Sequence, residues 1–458
     1  MHSNSQDFCN RNPNRRIVII GNGIAGVTCA RQIRKMDNSA RITIISGETK
    51  HFFSRTALMY IYMGHMKYEH TKPYEDFFWE KNRLELKQTW VKKVDFEAKN
   101  VIFEDDEPLN YDILVLATGS KNNKYGWPGQ ELAGVQGLYS KQDLDLMETQ
   151  TKGIKKAVIV GGGLIGIEMA EMLRSRNVEV TFLVRENSFW DHVLPPEESD
   201  MINRHIREHH IDLRLNTELK EILDDGQGRA KAVLTNHGET IPCEFVGLTI
   251  GVSPNIDFLI DSTLATKKGI LADLYFKTNI PNVFAIGDCV EFHKAPASDR
   301  KNIEQVWYTG RMHGETLAHN LCNEPVKYQP GVWFNSAKFF DIEYQTYGWV
   351  PPLWDSDFNS FYWEHPEGKI GFRMLFESQS KIIKGVNAFG LRLSHAFFDQ
   401  VIKERWNADK VIQHLGKANF NAEFYEKVHK DISKRYDLEM GTNVSNPKRN
   451  FLKRIMNK

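Results

Sequence analysis

Cysteine is scarce in this chain, and the cysteines are not spaced as pairs. Five cysteines occur among 458 residues, and no two form a C-x-x-C or C-x-x-x-x-C motif: Cys9, Cys29, Cys243, Cys289 and Cys322. This scatter argues against a disulfide framework, a thiol relay or a zinc site, and no residue is predicted to ligate a metal. We expect core or surface thiols, as in a protein of the reducing cytoplasm.

The chain also lacks a charge excess and a long apolar run. Lys and Arg total 59, as do Asp and Glu, so net charge gives no reason to expect a nucleic acid or an acidic surface as partner. No apolar run reaches the roughly 18 residues of a membrane-spanning helix. Residues 1–16 lack the apolar segment of a secretory signal. The 41% of hydrophobic residues fits a globular protein of roughly two to four domains.

An internal repeat organises the first half of the chain. Residues 16–46 and 156–186 each read as a β-branched strand, a glycine-rich turn, an amphipathic helix and a second strand. The turns are Gly-Asn-Gly-Ile-Ala-Gly (21–26) and Gly-Gly-Gly-Leu-Ile-Gly (161–166). Such glycines let the backbone approach a pyrophosphate at the N-terminus of the following helix. One copy is a weak signal, but two copies between strand and helix indicate two dinucleotide sites.

The residue that ends the second strand of each unit usually contacts the adenosine ribose. In the first unit this place holds Ser46, with Glu48 two residues later, so Glu48 is either the ribose acceptor or an exposed turn acid. In the second unit it holds Val184, followed by Arg185. An apolar residue with an arginine suits a 2′-phosphate, which favours NADPH over NADH. The alternative is a solvated arginine at a strand end.

The remaining segments differ in character. Residues 89–118 read as a β-meander followed by a buried strand, and residues 123–129 as a linker. From about residue 331 the chain becomes rich in aromatic residues, which suggests a separate antiparallel domain, and residues 394–415 read as helix. The basic tail at 447–458 is either an amphipathic segment for an anionic membrane surface or a disordered or packed terminal helix.

The order of motifs resembles a known family. A glycine loop, "ILVLATGS" (113–120), a second glycine loop and "NVFAIGDCVEF" (283–293) follow one another as in the two-dinucleotide-binding-domain flavoproteins of the pyridine nucleotide-disulfide oxidoreductase superfamily. Within it, the chain looks most like the ferredoxin reductase and nitrite reductase flavoprotein-subunit branch. The resemblance implies an α/β fold with two Rossmann-like domains, β-meander insertions and a C-terminal α+β domain. The implied bounds are 1–122 with 250–330 for FAD, 123–249 for NAD(P)H, and 331–458 for the C-terminal interface or dimerisation domain.

The resemblance also assigns cofactor-binding residues. FAD contacts fall on the first loop, on the segment where the chain leaves the FAD domain and on the Gly-Asp pair: Gly21, Gly23, Ile24, Ala25, Gly26, Ala117, Thr118, Gly119, Gly287 and Asp288. Asp288 suits a ribityl hydroxyl, with a helix cap as the alternative. NAD(P)H contacts fall on the second loop, and Gly251 lies in the strand that returns to the FAD domain: Gly161, Gly163, Leu164, Ile165, Gly166 and Gly251.

The stretch "HFFSRTALMYIYMG" (51–64) departs from much of the family. Peroxide- and disulfide-reducing members carry reactive cysteine in this region and here there is none, so no cysteine relay is expected. The stretch is similar to a pattern of the ferredoxin reductase branch that makes Arg55 a candidate beside FAD, or else an arginine at a helix start. The family's lysine falls on Tyr60, while its glutamate partner is kept as Glu168. Glu168 is then either raised in pKa by burial or paired elsewhere; as a site residue it is the catalytic candidate.

Two further positions are candidates near the flavin. Residues 303–310 are expected to form a helix that points at the flavin, with Glu304 and Gln305 at its start or on an ordinary helix surface. Trp333 and Phe334 resemble an aromatic pair near the isoalloxazine, with core packing as the alternative.

These features favour an FAD-dependent oxidoreductase that passes hydride from NADPH or NADH to flavin N5. Electrons would then go to an external acceptor: an iron–sulfur or other redox protein, or a small molecule. The alternatives are a peripheral-membrane dehydrogenase that reduces quinone, and an FAD-binding sensor without turnover. Dimerisation through residues 331–400 is a further expectation.

Overall fold

The computed structural model describes residues 14–322, 325–420 and 427–445. Cys9 and the basic tail at 447–458 lie outside these ranges. Within them, no helix combines the length and the hydrophobicity needed to cross a membrane.

The strands, in chain order, are β1 Arg16–Ile20, β2 Arg41–Ser46, β3 Leu84–Gln88, β4 Val91–Asp95, β5 Asn100–Phe103, β6 Leu109–Asn110, β7 Ile113–Leu116, β8 Ser120–Asn122, β9 Val135–Gln136, β10 Lys156–Val160, β11 Glu179–Leu183, β12 Asp212–Arg214, β13 Leu219–Asp224, β14 Ala230–Thr235, β15 Thr240–Pro242, β16 Phe245–Leu248, β17 Val252–Pro254, β18 Ile270–Ala272, β19 Val283–Ala285, β20 Val290–Phe292, β21 Phe334–Phe339, β22 Ile342–Gly348, β23 Phe358–Glu364, β24 Gly371–Glu377 and β25 Ile383–Phe389.

The helices are α1 Ile24–Met36, α2 Leu58–Tyr62, α3 Phe77–Lys81, α4 Lys141–Gln150, α5 Leu164–Ser175, α6 Pro196–Glu208, α7 Trp307–Cys322, α8 His395–Lys403, α9 Ala408–His414 and α10 His429–Met440. Single turns of 3₁₀ helix occur at Arg55–Ala57, Tyr68–Thr71, Asp257–Leu259, Gly287–Cys289 and Leu415–Lys417.

The chain divides into two compact units. The first contains the described residues of Met1–Lys155, Glu221–Ala232 and Cys243–Pro330, and the second those of Lys156–Lys220, Val233–Pro242 and Gly331–Lys458.

The first unit is built on a parallel sheet of order β19-β7-β1-β2-β3. The central strand β1 pairs Ile17 with Ile42 of β2 on one side and with Ile113 of β7 on the other. Its residues Ile17–Ile20 are buried on both faces, as expected for a central parallel strand covered by helices. Because β1 lies between β2 and β7, the sequence order reverses across it, and the crevice beyond its carboxyl end is the usual ligand position of such sheets.

Helices α1 and α7 cross closely on this sheet. A Cβ added to Gly314 of α7 would lie 2.5 Å from the carbonyl oxygen of Ala25 in α1, so only glycine permits this approach. The antiparallel meander β4-β5-β6 adds the predicted insertion.

In the second unit, β12, β11 and β10 lie side by side in parallel, with α5 following β10. The aromatic-rich region forms the antiparallel sheet β21-β22-β25-β24-β23. Its aromatic side chains are largely core: Phe361, Phe372 and Phe389 are fully buried.

The helix expected over 394–415 is interrupted. The chain ends α8 at Lys403 and starts α9 at Ala408, because Arg405 takes a left-handed conformation (φ 53°). Asn407 then caps α9 by accepting a hydrogen bond from the Lys410 N–H.

Candidate functional site

The first glycine loop packs too tightly for side chains at two of its three glycines. Gly21 has a φ of 116°, and a Cβ added there would lie 2.0 Å from the Ala117 carbonyl oxygen. A Cβ on Gly26 would lie 2.1 Å from the Gly21 carbonyl oxygen. Gly23 differs, because it has an extended backbone and nothing lies within 4 Å of its Cβ position. The loop therefore leaves open space at Gly23, at the carboxyl end of β1.

That open space faces the N-terminus of α1. Gly23 is the N-cap, no side chain caps the helix, and its first turn, which includes Ile24, Ala25 and Gly26, carries no acidic residue. A helix N-terminus without a competing carboxylate attracts an anion through its free N–H groups and dipole. The loop thus fits a dinucleotide pyrophosphate.

The segment after β7 lies beside this loop. Ala117 is buried and donates its N–H to the Ile20 carbonyl. The Thr118 hydroxyl donates to the Asn255 carbonyl at 2.7 Å, and Gly119 has a φ of 70°. These contacts fix the direction in which the chain leaves the sheet.

A buried polar network centres on Asp288. Its carboxylate accepts hydrogen bonds from the hydroxyls of Ser120 at 3.0 Å and Tyr139 at 3.4 Å. Gln305 Nε2 donates to the Ser120 hydroxyl at 2.7 Å. Burial raises the pKa of Asp288, while the Ser120 hydroxyl and the nearby Arg55 charge lower it.

The backbone of the Gly-Asp turn is held from α7. The Gly287 N–H donates to His313 Nδ1 at 3.1 Å. Full burial, with Arg300 nearby, lowers the pKa of His313 to about 3, so this imidazole is neutral. His313 therefore acts as an acceptor that positions the turn carrying Asp288.

Glu48 and Arg55 are brought together as a two-point ion pair. Arg55 Nη1 and Nη2 lie 2.8 and 2.5 Å from the two Glu48 oxygens, and Nη1 also donates to the Tyr139 carbonyl. Glu48 further accepts from the Lys141 N–H at 2.8 Å. Burial acts to lower the pKa of Arg55, but the Glu48 pair raises it on balance. Glu48 is therefore a half-buried anchor and not an exposed turn acid.

Tyr139, Ser120 and His313 were not candidates from the sequence. Ser120 directly follows the Ala-Thr-Gly segment, and this position is its signal in the sequence. Tyr139 and His313 lie in stretches without a motif, and their roles come from tertiary contacts with Asp288 and Gly287.

Glu304 and Gln305 do not sit on a helix start as expected. The helix begins at Trp307, two residues later than Gln305. Glu304 is buried instead and forms an ion pair with Arg300 at 2.9 Å. Burial raises the pKa of Glu304 and Arg300 lowers it. Gln305 joins the Asp288 network described above.

The second glycine loop repeats the geometry of the first. Gly161 has a φ of 113°, and Gly163 is an extended N-cap with nothing within 4 Å of its Cβ position. No side chain caps α5, and its first turn, which contains Leu164, Ile165 and Gly166, has no acidic residue. A Cβ on Gly162 would meet Val184 at 2.8 Å. This loop also fits a pyrophosphate.

Arg185 lies at the surface beyond β11. Its side chain is 70% exposed and forms an ion pair with the neighbouring Glu186 at 2.8 Å. Glu186 is a second charged group at the predicted ribose position. A phosphate group would have to compete with it for Arg185.

Glu168 lies half-buried on α5. Burial, with a smaller contribution from Glu171, raises the pKa of Glu168 to about 7. Glu171 itself is paired with Lys338 at 3.0 Å. Of the two alternatives for Glu168, the structure supports the raised pKa.

Tyr60, at the place of the family's lysine, stacks on His65. Gly251 follows β16 with a φ of 87°.

Comparison with known proteins identifies relatives of the whole motif-bearing region. Residues 15–314 match the family described as pyridine nucleotide-disulphide oxidoreductase. The ferredoxin–NAD(+) reductase component of the p-cumate 2,3-dioxygenase system of Pseudomonas putida is 30% identical over 325 residues, 70% of this chain and 78% of that protein. Rhodocoxin reductase of Rhodococcus erythropolis is 29% identical over 331 residues, covering 70% and 76%.

Solved structures show the same fold. A ferredoxin reductase from Rhodopseudomonas palustris has a TM-score of 0.75 at 22% identity and covers 82% of this chain and 91% of its own. The reductase in a covalent putidaredoxin reductase–putidaredoxin complex has a TM-score of 0.75 at 23% identity, covering 86% and 94%. The fold class and the resemblance predicted from the motifs are confirmed.

Proposed function

We propose that this chain, a member of the pyridine nucleotide-disulphide oxidoreductase family, passes its electrons to an iron–sulfur protein. It is an FAD-dependent enzyme that takes electrons from NAD(P)H and delivers them to an external acceptor, and the proposal concerns the identity of that acceptor. The observation that carries the proposal is the lack of a redox-active cysteine between the two nucleotide loops. No cysteine occurs between Cys29 and Cys243.

The thiols that the structure describes support this route. Burial raises the pKa of Cys29 and Cys289, and raises that of Cys243 to about 12. Since the thiolate is the reactive form, these cysteines are poor nucleophiles at neutral pH. Among the described residues all four cysteines are free thiols, and on this proposal the electrons pass to another molecule.

We assign the two loops to the two nucleotides. When bound, FAD supplies the ring that accepts hydride and releases electrons. The loop Gly21–Gly26 would hold the FAD pyrophosphate, and Asp288, held by Ser120 and Tyr139, would accept from hydroxyls of the FAD chain. The loop Gly161–Gly166 would hold NAD(P)H, with Arg185 favouring NADPH.

Two relatives support the choice of acceptor class. By name they reduce a ferredoxin and a rhodocoxin, and this chain covers more than two thirds of each. We place the reaction in the cytoplasm, where NADPH is available and thiols stay reduced. The domain assignment predicted from the sequence, and a homodimer through residues 331–400, belong to the same proposal.

A pair of matched glycine variants tests the loop assignment. Gly23 and Gly163 have extended backbones and open Cβ positions, so an alanine at either place strains nothing in the protein itself. A bound pyrophosphate would fill that space. Gly23→Ala should then lose FAD on gel filtration, whereas Gly163→Ala should keep FAD and raise the KM for the nicotinamide nucleotide.

Each variant serves as the control for the other, and the thermal unfolding of both flavin-free proteins should match the parent. Full FAD retention by Gly23→Ala, or an unchanged KM in Gly163→Ala, would remove that loop from its proposed nucleotide.

The acceptor is tested by anaerobic stopped-flow. The parent enzyme is reduced with NADPH or NADH and mixed with a [2Fe–2S] ferredoxin, a quinone or oxygen, and flavin absorbance is followed. We expect bleaching by the nucleotide and fastest reoxidation by ferredoxin. Reoxidation fastest with quinone would support the quinone dehydrogenase, and absence of bleaching with either nucleotide would support the sensor.

A further inference from the structure

A cluster of two histidines and an aspartate lies in the second unit, away from both glycine loops in sequence. His205 lies in the last turn of α6 and His209 is its C-cap. The two side chains lie on the same side, because the His209 N–H still bonds to the His205 carbonyl in the helical i,i+4 pattern. Asp341 lies in the turn between β21 and β22. Within the described residues, these three are the group whose ligand atoms all lie within 4.8 Å of one another.

Both imidazoles present the same nitrogen to the same oxygen. His205 Nε2 is 2.6 Å and His209 Nε2 is 3.2 Å from Asp341 Oδ1. His205 is almost fully buried, with 1% of its side chain exposed. Its Nε2 nevertheless makes no hydrogen bond of normal geometry among the described residues. The nitrogen and the carboxylate oxygen are thus in close contact without the alignment of a hydrogen bond, an arrangement that a cation bound between them would accommodate.

Other contacts hold the three groups in place. Glu208 lies 3.5 Å from His205 Nδ1, which is the carboxylate–histidine arrangement that orients metal-binding imidazoles. Lys369 Nζ lies 3.1 Å from the other Asp341 oxygen, Oδ2, and leaves Oδ1 facing the two rings. The His209 ring stacks on Phe340 with centroids 4.1 Å apart.

We propose that His205, His209 and Asp341 bind a zinc ion through Nε2, Nε2 and Oδ1, with water as the fourth ligand. Two imidazoles and one carboxylate are a donor set that zinc accepts. Tetrahedral bonds of about 2.0–2.1 Å place ligand atoms roughly 3.3 Å apart. This is close to the 3.2 Å contact of His209, and the 2.6 Å contact of His205 must open by about 0.7 Å. Asp341 and His209 are 55% and 35% exposed, which leaves room for water.

The ion would fasten α6 to the β21–β22 turn within the second unit. The site uses no cysteine, so the cysteine spacing that argued against zinc could not reveal it. The signal in the sequence was the H-x-x-x-H spacing of residues 205–209.

The test uses the untagged, full-length, FAD-loaded protein after treatment with a chelator. Zinc chloride is added, excess is removed by gel filtration, and zinc per chain is measured by mass spectrometry. Affinity is measured by competition with a chromogenic zinc chelator. We expect about one zinc per chain and a higher Tm with zinc than without.

Two ligand variants and a neighbouring histidine provide the comparison. His209→Gln and Asp341→Asn change side chains that are partly exposed, and each should lower zinc affinity by at least about tenfold and abolish the Tm increase. His210→Asn is the control, because His210 is exposed and has a φ of 58°, which asparagine tolerates. It should behave as the parent.

The proposal is overturned if the parent retains no zinc, if both ligand variants bind zinc as tightly as the parent, or if zinc leaves the Tm of the parent unchanged. Circular dichroism of the variants without zinc shows whether each is folded, and a folded variant of either residue is sufficient for the comparison.

Discussion

A single carboxyl group, Glu168, gives the structure a pH dependence with a definite sign. Its pKa is raised to about 7 by burial and by Glu171, above the value near 4.3 of an unfolded chain. The folded state therefore holds a proton that the unfolded state releases as the pH rises from about 4 to about 7. Ionising this half-buried carboxyl group then costs stability, and the full cost is present above pH 7.

Glu168→Gln should remove this cost. We expect the variant to equal the parent near pH 4 and to be more stable at pH 8, by on the order of 2–3 kcal/mol. Thermal unfolding of parent and variant from pH 4 to 8 measures the difference. Glu179→Gln, at an exposed position of β11, should show no such trend. A constant difference at all pH values would mean that the pKa of Glu168 is not raised.

We propose that Arg185 sets the nucleotide preference, again through a single side chain. A guanidinium beside the ribose binds a 2′-phosphate but gains little from a hydroxyl. Arg185→Ala should raise the KM for NADPH by about tenfold or more, since it removes a charge-assisted contact, and change that for NADH little. Steady-state kinetics with both nucleotides measure the two KM values. Arg207→Ala, at an exposed position, is the control. An unchanged ratio of the two KM values would exclude Arg185 from the site.

At the scale of elements, a buried charge cluster joins the start of α6 to the C-terminal sheet. Arg373 on β24 donates to Glu198 at 2.7 Å and to Glu197 at 2.7 Å, and Asn387 on β25 donates to the second Glu198 oxygen. Arg373 and Glu198 are both at most 1% exposed. Removing one partner of such a pair leaves the other charge buried.

Arg373→Met should therefore destabilise the protein by about 3–5 kcal/mol. The double variant Arg373→Met with Glu198→Gln removes both charges of the Arg373–Glu198 pair and should recover a large part of the lost stability. Lys403→Met is the control, since its pair with Asp399 is exposed and contributes at most about 0.5 kcal/mol. Chemical unfolding midpoints give the comparison, and a double variant no better than Arg373→Met would show that the loss comes from packing.

The elements also show where prediction from sequence succeeds and where it stops. The two βαβ units could be predicted because each is a strand, a glycine turn and a helix in succession along the chain. Their conformation is set locally, and the left-handed backbone of Gly21 is an example. The break at Arg405 leaves no mark in the apolar spacing, which continues from α8 into α9. The predicted helix at 303–310 begins later, at Trp307, because Glu304 pairs with Arg300 and Gln305 bonds to Ser120 in the Asp288 network. Tyr139 contacts Asp288 across 149 residues, and His313 contacts Gly287 across 26, so neither contact leaves a local signal in the sequence.

At the scale of the whole molecule, the chain has two glycine loops that each fit a pyrophosphate, but no cysteine pair in the region between them. The family resemblance extends over residues 15–314, yet the described cysteines sit in cores or at the edge of α7. Cys29 and Cys289 are fully buried, and Cys322 is half-buried. In the proposed mechanism electrons pass from NAD(P)H to FAD and then to the external acceptor without a thiol, and this route predicts how the enzyme responds to a thiol reagent.

Iodoacetamide at pH 7.5 should leave turnover with NADPH and ferredoxin within about twofold of the untreated enzyme, because burial raises the thiol pKa values and thiols react as thiolates. Mass spectrometry of the native protein should find Cys29, Cys243 and Cys289 unmodified, and denaturation should expose them. A denatured-then-alkylated sample confirms that the reagent is active. Loss of turnover that parallels modification of one of these three cysteines would place sulfur in the electron path and overturn the external-acceptor mechanism.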